Sequence, residues 1–207
     1  TLPSKTLRET AVQLSGFRAR GLYGVDLSLR RNATVQDFLK RERQVKEAER
    51  ARIVANLERH NVETFAGVGS FVDPHTIKVT KSDGTTQRLT AGVVLIATGS
   101  SPRQLDLFPF ESDRVWDSDS ILNLEFMPQT LAVVGGGVIG SEYACLFAAL
   151  GVKAYLIDGR DTLLSFLDPE ISATLKQNMV KLGVQMVMPD RVAGCEANDE
   201  RALVTLD

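Results

Sequence analysis

The sequence is poor in the residues that build metal centres and redox-active thiols. It contains only two cysteines, Cys145 and Cys195, and two histidines, His60 and His75, among its 207 residues. The cysteines lie far apart and lack metal-binding or redox spacing, so we expect buried, inert thiols in a protein without disulfides. One histidine ends a predicted helix and the other follows an Asp-Pro pair in a turn. We therefore expect no metal site and no catalytic histidine.

Long apolar runs and a strong net charge are also missing. No run approaches the roughly 18 residues of a membrane span, and no signal peptide is visible at Thr1. With 24 basic and 26 acidic residues the net charge is −2, which gives no reason to expect nucleic acid or an anionic membrane as a partner. These absences favour a cytoplasmic protein. Because the chain does not begin with Met, we expect it to be part of a longer protein.

The most informative stretch runs from Leu131 to Asp158. An apolar segment, residues 131–134, has the length and composition of a buried parallel strand. The pattern Gly-x-Gly-x-x-Gly follows at once in residues 135–140, and apolar positions at helical spacing continue to Leu150. A second predicted strand, residues 153–157, ends in Asp158, 18 residues after the last glycine. Strand, glycine-rich turn, helix and acid in this order predict a dinucleotide-binding site.

Each part of this motif has a chemical role. Gly135 permits a tight turn, Gly137 lets the backbone approach a pyrophosphate, and Gly140 lets the helix pack closely on the strand. Asp158 can accept both hydroxyls of an adenosine ribose, which favours NAD over NADP. Arg160 can meet a 2′-phosphate, so the use of both cofactors stays open. The predicted cofactor contacts in the turn are Gly135, Gly136, Gly137, Val138, Ile139 and Gly140.

The chain before this motif divides into helical and β segments. A helical pattern extends through Leu14, and a long helix is predicted from Thr34, its N-cap, to about His60, with Asn61 as the stop. The charged run at residues 40–43 reads as a solvated helix face rather than a basic patch, because glutamates are interleaved with the basic residues. The helix has an intermittent apolar face: Val35, Phe38, Leu39, Val45, Ile53 and Leu57.

Residues 62–98 read as β structure. Strands are predicted near residues 65–72, 76–80 and 87–89, with a hairpin turn at Ser82-Asp83-Gly84. Residues 92–99 read as a buried strand that runs into a glycine. Such an end is a common place to hold a cofactor, although an ordinary strand and turn explains it equally well.

The second half of the chain repeats the strand–helix alternation. After Asp158, Asp168 and Pro169 predict a helix start, Gly183 its end, and residues 184–188 a third strand. This β-α-β-α-β order predicts an α/β fold, half of a doubly wound parallel sheet. We place a domain boundary near residue 122, which gives domains at 1–122 and 123–207.

Three stretches together resemble one family. They are Pro3-Ser4-Lys5, residues 95–103 and residues 135–144, and they are similar to the flavin-dependent pyridine nucleotide-disulfide oxidoreductases. The resemblance covers all 207 residues and implies a Rossmann-like FAD/NAD(P)-binding flavoprotein, here as two incomplete domains: a partial FAD-binding domain at 1–122 and a partial NAD(P)-binding domain at 123–207. The family's first glycine motif and its dimerisation domain are not among these residues. We therefore expect weak FAD binding and no turnover by this stretch alone, within a homo-oligomeric parent protein.

The resemblance also implies roles for single residues. Lys5 matches the lysine near the reactive nitrogen of the flavin and would pair with Glu142, so these two are the expected catalytic residues. Gly69 matches a contact to the FAD adenine, and residues 98–100 a flavin-side contact. Without the family, Lys5 reads as a surface lysine and Glu142 as an acid favoured at a helix N-terminus. The remaining matched positions are Thr98, Gly99 and Ser100 for FAD, and Val192 for the NAD adenine. Val138 stands where glutathione reductase has a gating tyrosine, which argues against that branch.

One position discriminates within the family. The second cysteine of the disulfide reductases falls on Thr1, and a threonine cannot form the redox disulfide. The sequence resembles the transhydrogenase branch there and at residues 117–122, which implies hydride transfer from NADPH to NAD through FAD. Two alternatives stay open: a dihydrolipoyl dehydrogenase or related disulfide reductase, and a stand-alone NAD-binding module without turnover.

Overall fold

The computed structural model describes residues 2–14 and 34–207. These residues form two compact units, one made of residues up to Lys46 with Pro102–Asp207 and the other of Glu47–Ser101. Thr1, the position on which the second cysteine of the disulfide reductases falls, lies outside the described residues. The domain boundary near residue 122 stays a prediction.

The first two described elements are helices, as the sequence predicts. Helix α1 spans Leu2–Leu14 and helix α2 spans Val35–Arg59. The N-cap of α2 is confirmed, because the Thr34 hydroxyl accepts the Asp37 N–H at 3.1 Å and the Asp37 carboxylate accepts the Thr34 N–H at 3.2 Å. Asn61 ends the helix in the left-handed region, with φ of 52°.

The predicted apolar face of α2 is only partly correct. Phe38 and Leu39 are buried and pack in the first unit, where Phe38 meets the Phe147 ring edge-on at 5.9 Å. Ile53, about three-quarters of the way along the helix, is exposed instead. The expectation of a solvated face at residues 40–43 is wrong for Glu42, which is buried, and its Oε1 has no hydrogen-bond partner among the described residues. Helical position, not charge, decides this burial, since Glu42 follows Phe38 by one turn.

Strands β1, β2 and β3 form an antiparallel sheet within the second unit. They span Val68–Asp73, Thr76–Thr80 and Thr86–Thr90 and lie in that order. The predicted hairpin turn is present, with Gly84 at φ of 82°. His75 lies in the turn between β1 and β2, where its N–H donates to the Asp73 carboxylate at 2.8 Å.

The buried strand predicted at residues 92–99 is wrong. Residues 93–100 have no regular secondary structure, and the side chain of Leu95 is 87% exposed. The pattern is that of a strand, but a parallel strand forms only beside a neighbour that takes up its backbone hydrogen bonds. The described part of the chain provides none here.

The parallel sheet is confirmed. Strand β4 (Thr130–Val134) pairs with β5 (Lys153–Ile157), which pairs with β6 (Gln185–Val187), all parallel. Helix α3 (Val138–Ala149) connects β4 to β5, and helix α4 (Pro169–Leu182) connects β5 to β6. The strand–helix alternation therefore produces the Rossmann-like α/β fold.

The predicted limits of α4 are confirmed in detail. The Asp168 carboxylate accepts the Glu170 N–H at 2.9 Å, and Pro169 occupies the first helical turn. Gly183 ends the helix in the left-handed region. These two ends fix where the chain returns to the sheet.

Helix α3 lies between two hydrophobic clusters of the first unit. One contains Phe38 and Phe147, and the other contains Leu156 and Met179. Because α3 packs against both clusters, its position relative to β4 is fixed. The glycine-rich turn lies between the end of β4 and the N-terminus of α3.

A short helix and a hairpin complete the first unit. Ser120–Asn123 is a 3₁₀ helix, and β7 (Val192–Ala197) pairs with β8 (Ala202–Leu206) antiparallel. Across residues 2–14 and 34–207, no helix is long and apolar enough to cross a membrane. Cys145 and Cys195 are free and half-buried, so the expectation of buried thiols is only partly correct. Partial burial still raises the pKa of both thiols.

Candidate dinucleotide-binding site

The glycine-rich turn has a backbone path that side chains would block. Gly135 extends β4 by donating its N–H to the Ile157 carbonyl at 2.8 Å, and it has a φ of 107°. A Cβ on Gly140 would lie 1.9 Å from the Gly135 carbonyl oxygen. Glycine is therefore required at Gly135 by conformation and at Gly140 by the close approach of helix to turn.

Gly137 differs from both because space is open beside it. No heavy atom lies within 4 Å of the position a Cβ would take, and its backbone is extended. Gly137 is also the N-cap of α3, and the first helical hydrogen bond runs from the Ser141 N–H to its carbonyl at 2.9 Å. The N–H groups of residues 138–140 are thus left without acceptors inside the helix. Open space beside free N–H groups at the positive end of a helix dipole suits a pyrophosphate.

The side chains of Val138 and Ile139 lie beside this opening. Both are more than half exposed although they are large and apolar. They also line a cavity of about 1160 Å³ within the first unit. Apolar side chains at the mouth of a cavity with convergent N–H donors are typical of a cofactor site.

Besides the glycine-rich turn and residues 126–129, three segments form most of the cavity wall. They are β4, the segment 102–118 and the β7–β8 hairpin. Arg114 joins two of them, since its guanidinium donates to the Asp199 carbonyl, from Nε at 2.9 Å, and stacks 4.3 Å over the Phe126 ring. Sequence reasoning missed Arg114, because its partner lies 85 residues away in the hairpin turn.

Asp158 is at the end of β5, as predicted, but its carboxylate is fully engaged. Its Oδ2 accepts the Gly136 N–H at 2.6 Å and the Arg160 Nη2 at 2.7 Å. Its Oδ1 accepts the Arg160 backbone N–H at 2.8 Å and Nε at 2.9 Å. Hydrogen bonds from the Arg160 side chain hold the pKa of Asp158 well below its ordinary value, and the same contacts raise the pKa of Arg160.

Gly136 has a structural role that the glycine motif alone does not predict. A Cβ there would lie 2.9 Å from Leu163 and 3.1 Å from Asp158 Oδ2. Gly136 therefore lets the acid approach the turn, and its N–H is used by Asp158 rather than left for a phosphate.

The residues predicted to contact FAD lie on separate elements. Lys5 is exposed on α1, and α1 packs against α3, which carries the exposed Glu142. No ion pair between Lys5 and Glu142 is present among the described residues. Gly69 lies within β1, and residues 98–100 lie in the exposed segment after β3. Their predicted roles stay predictions, and we assign no FAD contact geometry to them.

Val192, predicted to meet the NAD adenine, is the first residue of β7. The loop before it is tied to the end of β5, because the Asp190 N–H donates to the Asp158 carbonyl at 3.0 Å. Sequence reasoning missed the neighbouring Arg191, whose side chain lies over Gly159. Among the described residues, no group of three His, Cys, Asp or Glu side chains is placed to hold a metal ion.

Comparison with known proteins agrees with this geometry. A family model described as pyridine nucleotide-disulphide oxidoreductase matches residues 2–207. The chain is 38% identical over 209 residues to a soluble pyridine nucleotide transhydrogenase of Mycobacterium bovis (strain BCG / Pasteur 1173P2). It is 37% identical over 206 residues to the protein of the same name from Colwellia psychrerythraea. Each match covers 100% of this chain and 44% of the relative, so the chain spans less than half the length of these relatives.

A solved structure shows the same fold. LpdA of Mycobacterium tuberculosis is 28% identical, with a TM-score of 0.84 over 100% of this chain and 45% of that protein.

Proposed function

Because the chain belongs to the pyridine nucleotide-disulphide oxidoreductase family, we propose that it forms the nucleotide-binding part of a soluble pyridine nucleotide transhydrogenase. The parent protein would transfer hydride from NADPH to NAD⁺ and release NADP⁺ and NADH. The observation that most directly supports nucleotide binding is the open space at Gly137, beside the N–H groups that begin helix α3. The relatives named transhydrogenase, at 36–38% identity, support this reaction.

Each part of the site has a task in this proposal. The N–H groups of residues 138–140 neutralise the pyrophosphate, and Val138 and Ile139 cover apolar parts of the dinucleotide. Asp158 and Arg160 lie where the adenosine ribose is expected at the end of β5. Lys5 and Glu142 keep the roles that the resemblance implies, near the flavin.

FAD, when bound to the parent protein, supplies a carrier that accepts hydride from one nicotinamide and returns it to another. Gly69 and residues 98–100 are the proposed contacts. We further propose a cytoplasmic, homo-oligomeric parent protein that acts on nicotinamide dinucleotides.

A disulfide reductase such as a dihydrolipoyl dehydrogenase is the second candidate. It requires a redox disulfide, and threonine at position 1 argues against one. The third candidate, a stand-alone NAD-binding module, predicts nucleotide binding without turnover.

The test uses the full-length parent protein loaded with FAD. We would measure hydride transfer from NADPH to an NAD analogue whose reduced form absorbs at a separate wavelength, beside NAD-dependent oxidation of dihydrolipoamide. Transfer between nucleotides without dithiol oxidation is expected. Rapid dithiol oxidation would identify a disulfide reductase, and nucleotide binding without either reaction would identify the binding module.

A further inference from the structure

Helix α3 has a directional contact with the segment that precedes the 3₁₀ helix. The Tyr143 hydroxyl donates to the Ser118 carbonyl at 3.0 Å. Across residues 2–14 and 34–207, it is the one hydrogen bond that a side chain of α3 makes to another element. Apolar packing of α3 against its two hydrophobic clusters has no preferred direction, whereas a hydrogen bond requires a particular distance and angle. The Tyr143 hydroxyl is therefore the group that fixes the rotation of α3 about its own axis.

The acceptor of this bond belongs to a turn that is itself held in place. The Asp117 carboxylate accepts the Ser120 N–H at 2.7 Å and the Gln104 amide at 2.8 Å. In return, the Ser120 hydroxyl accepts the Asp117 N–H at 2.8 Å. Ser118 lies between these two residues, so its carbonyl has a fixed position. Tyr143 is therefore bonded to a rigid turn.

The surroundings of Tyr143 keep its hydroxyl a donor. The side chain is half-buried against a hydrophobic cluster, and its ring lies 6.5 Å from that of Phe147. Burial raises the pKa of the Tyr143 phenol to about 12, and the negative charges of three neighbouring acids add to this shift. These acids are Asp119, Glu142 and Glu42. The phenol therefore stays protonated at neutral pH, and the hydrogen bond persists.

Glu142 immediately precedes Tyr143 on the helix. Successive residues of an α-helix are about 100° apart, so the direction fixed at one determines the direction of the other. If the helix turns by about 10°, a side-chain tip about 6 Å from the axis moves by about 1 Å, whereas the backbone moves by only about 0.4 Å. A displacement of about 1 Å at a catalytic group can cost up to about 100-fold in rate. Rotation of α3 thus affects Glu142 more than the N–H groups at the start of the helix.

We propose that Tyr143 is a positioning residue for the hydride transfer, because its bond to the Ser118 carbonyl sets the direction in which Glu142 projects. This inference rests on the proposed function, in which Glu142 lies near the flavin of the parent protein. It deepens that function by naming a residue that acts through Glu142. Loss of the hydroxyl slows hydride transfer while nucleotide binding is kept, since the backbone of α3 hardly moves.

The test follows reduction of the flavin by NADPH in the FAD-loaded parent protein, by stopped-flow absorbance without oxygen. Tyr143→Phe should lower the limiting rate constant about three- to tenfold and change the half-saturating NADPH concentration by less than about twofold. Ser118→Ala is the matched control, because it keeps the backbone carbonyl, and it should change neither value. Tyr155→Phe, on β5, removes a phenol hydroxyl that has no hydrogen-bond partner in the described part of the chain, and it should also change neither value.

A double-substitution cycle tests whether Tyr143 acts through Glu142. After Glu142→Gln has removed the carboxylate, adding Tyr143→Phe should lower the rate constant by less than about twofold further. An undiminished loss in that background would overturn the inference, and so would a wild-type rate constant for the single variant Tyr143→Phe.

The Asp168→Ala variant separates positioning from stability. It removes the N-cap bond of α4 and should leave the rate constant unchanged although it lowers stability. A loss of rate as large as that of Tyr143→Phe would show that the rate follows stability, and the inference would fail. No reduction of the flavin by NADPH in the wild type would instead refute the proposed function itself.

Discussion

Residues 131–140 and residues 92–99 carry the same signal in sequence, an apolar strand that runs into glycine, yet only the first forms a strand. Strand β4 pairs with β5 along its whole length, and its glycine-rich turn is packed under α3. The segment 92–99 is irregular, with Val93, Leu95 and Ile96 exposed. The difference lies in where the partners are: β5 follows β4 through a single helix, whereas residues 92–99 have no parallel neighbour in the described chain. A strand pattern therefore predicts a strand only when its neighbour is present.

The largest effect expected on the well-formed region is that of Gly140→Ala. An alanine usually stabilises a helix by about 1 kcal/mol relative to glycine. Here its Cβ would lie 1.9 Å from the Gly135 carbonyl oxygen, so we expect a loss of about 3 kcal/mol or more in the free energy of unfolding. Urea denaturation of the 207-residue chain measures it.

Gly137→Ala is the matched control for this change. Its Cβ enters open space in an extended backbone, so stability should change by less than about 1 kcal/mol. Equal destabilisation by both substitutions would contradict the close approach described for Gly140.

A second pair of substitutions tests the comparison between the two strand patterns directly. Leu156 is fully buried in β5, and its replacement by alanine should cost about 3 kcal/mol. Leu95 is 87% exposed, and Leu95→Ala should change stability by less than about 0.5 kcal/mol. Thermal and urea unfolding of the 207-residue chain compare the two. A cost for Leu95→Ala close to that of Leu156→Ala would show that residues 92–99 are buried after all.

The N-cap of α4 makes a smaller, local contribution to the free energy of unfolding. Asp168→Ala removes the acceptor of the Glu170 N–H, so we expect a loss of about 1 kcal/mol. Asp168→Asn keeps an acceptor oxygen and should recover most of this loss. Stability of the asparagine variant as low as that of the alanine variant would mean that charge at the helix N-terminus, not the cap bond, matters.

A further small effect, confined to acidic solution, is a pH dependence at Asp117. Its carboxylate accepts the Ser120 N–H at 2.7 Å and the Gln104 amide at 2.8 Å, and these bonds lower its pKa from 3.8 to about 2. The stabilisation is therefore complete above the unfolded-state pKa and is lost as pH falls from about 4 to about 2. Water screens this group, so about 1 kcal/mol is the expected size. Unfolding of Asp117→Asn should lack this pH-dependent component between those values, and an unchanged profile would contradict the assignment.

Local signals in the sequence predicted much of this structure. Thr34, Asp168 with Pro169, and Gly183 are confirmed at helix ends, because capping acts within one turn. The glycine-rich turn was predictable because its signal also lies within a few consecutive residues, 135–140.

Contacts between distant residues were not predictable. Arg114 with Asp199, and Arg191 over Gly159, join positions separated by tens of residues, and no local pattern marks them. The burial of Glu42 was missed because its charge, among interleaved basic residues, was given more weight than its position one turn after the buried Phe38. The full engagement of the Asp158 carboxylate was not predictable either. One of its hydrogen bonds comes from the Gly136 N–H, 22 residues earlier in the chain.

The central claim is that the turn at Gly137 binds the pyrophosphate of the nicotinamide dinucleotides. The most direct test measures hydride transfer by the parent protein that carries Gly137→Ala. Wild type and variant would be matched for FAD content and thermal stability, and transfer from NADPH to the NAD analogue followed in both. A loss of about tenfold or more in kcat/KM at unchanged stability is predicted, because the added methyl fills the space assigned to the pyrophosphate. Transfer at the wild-type rate would contradict the account.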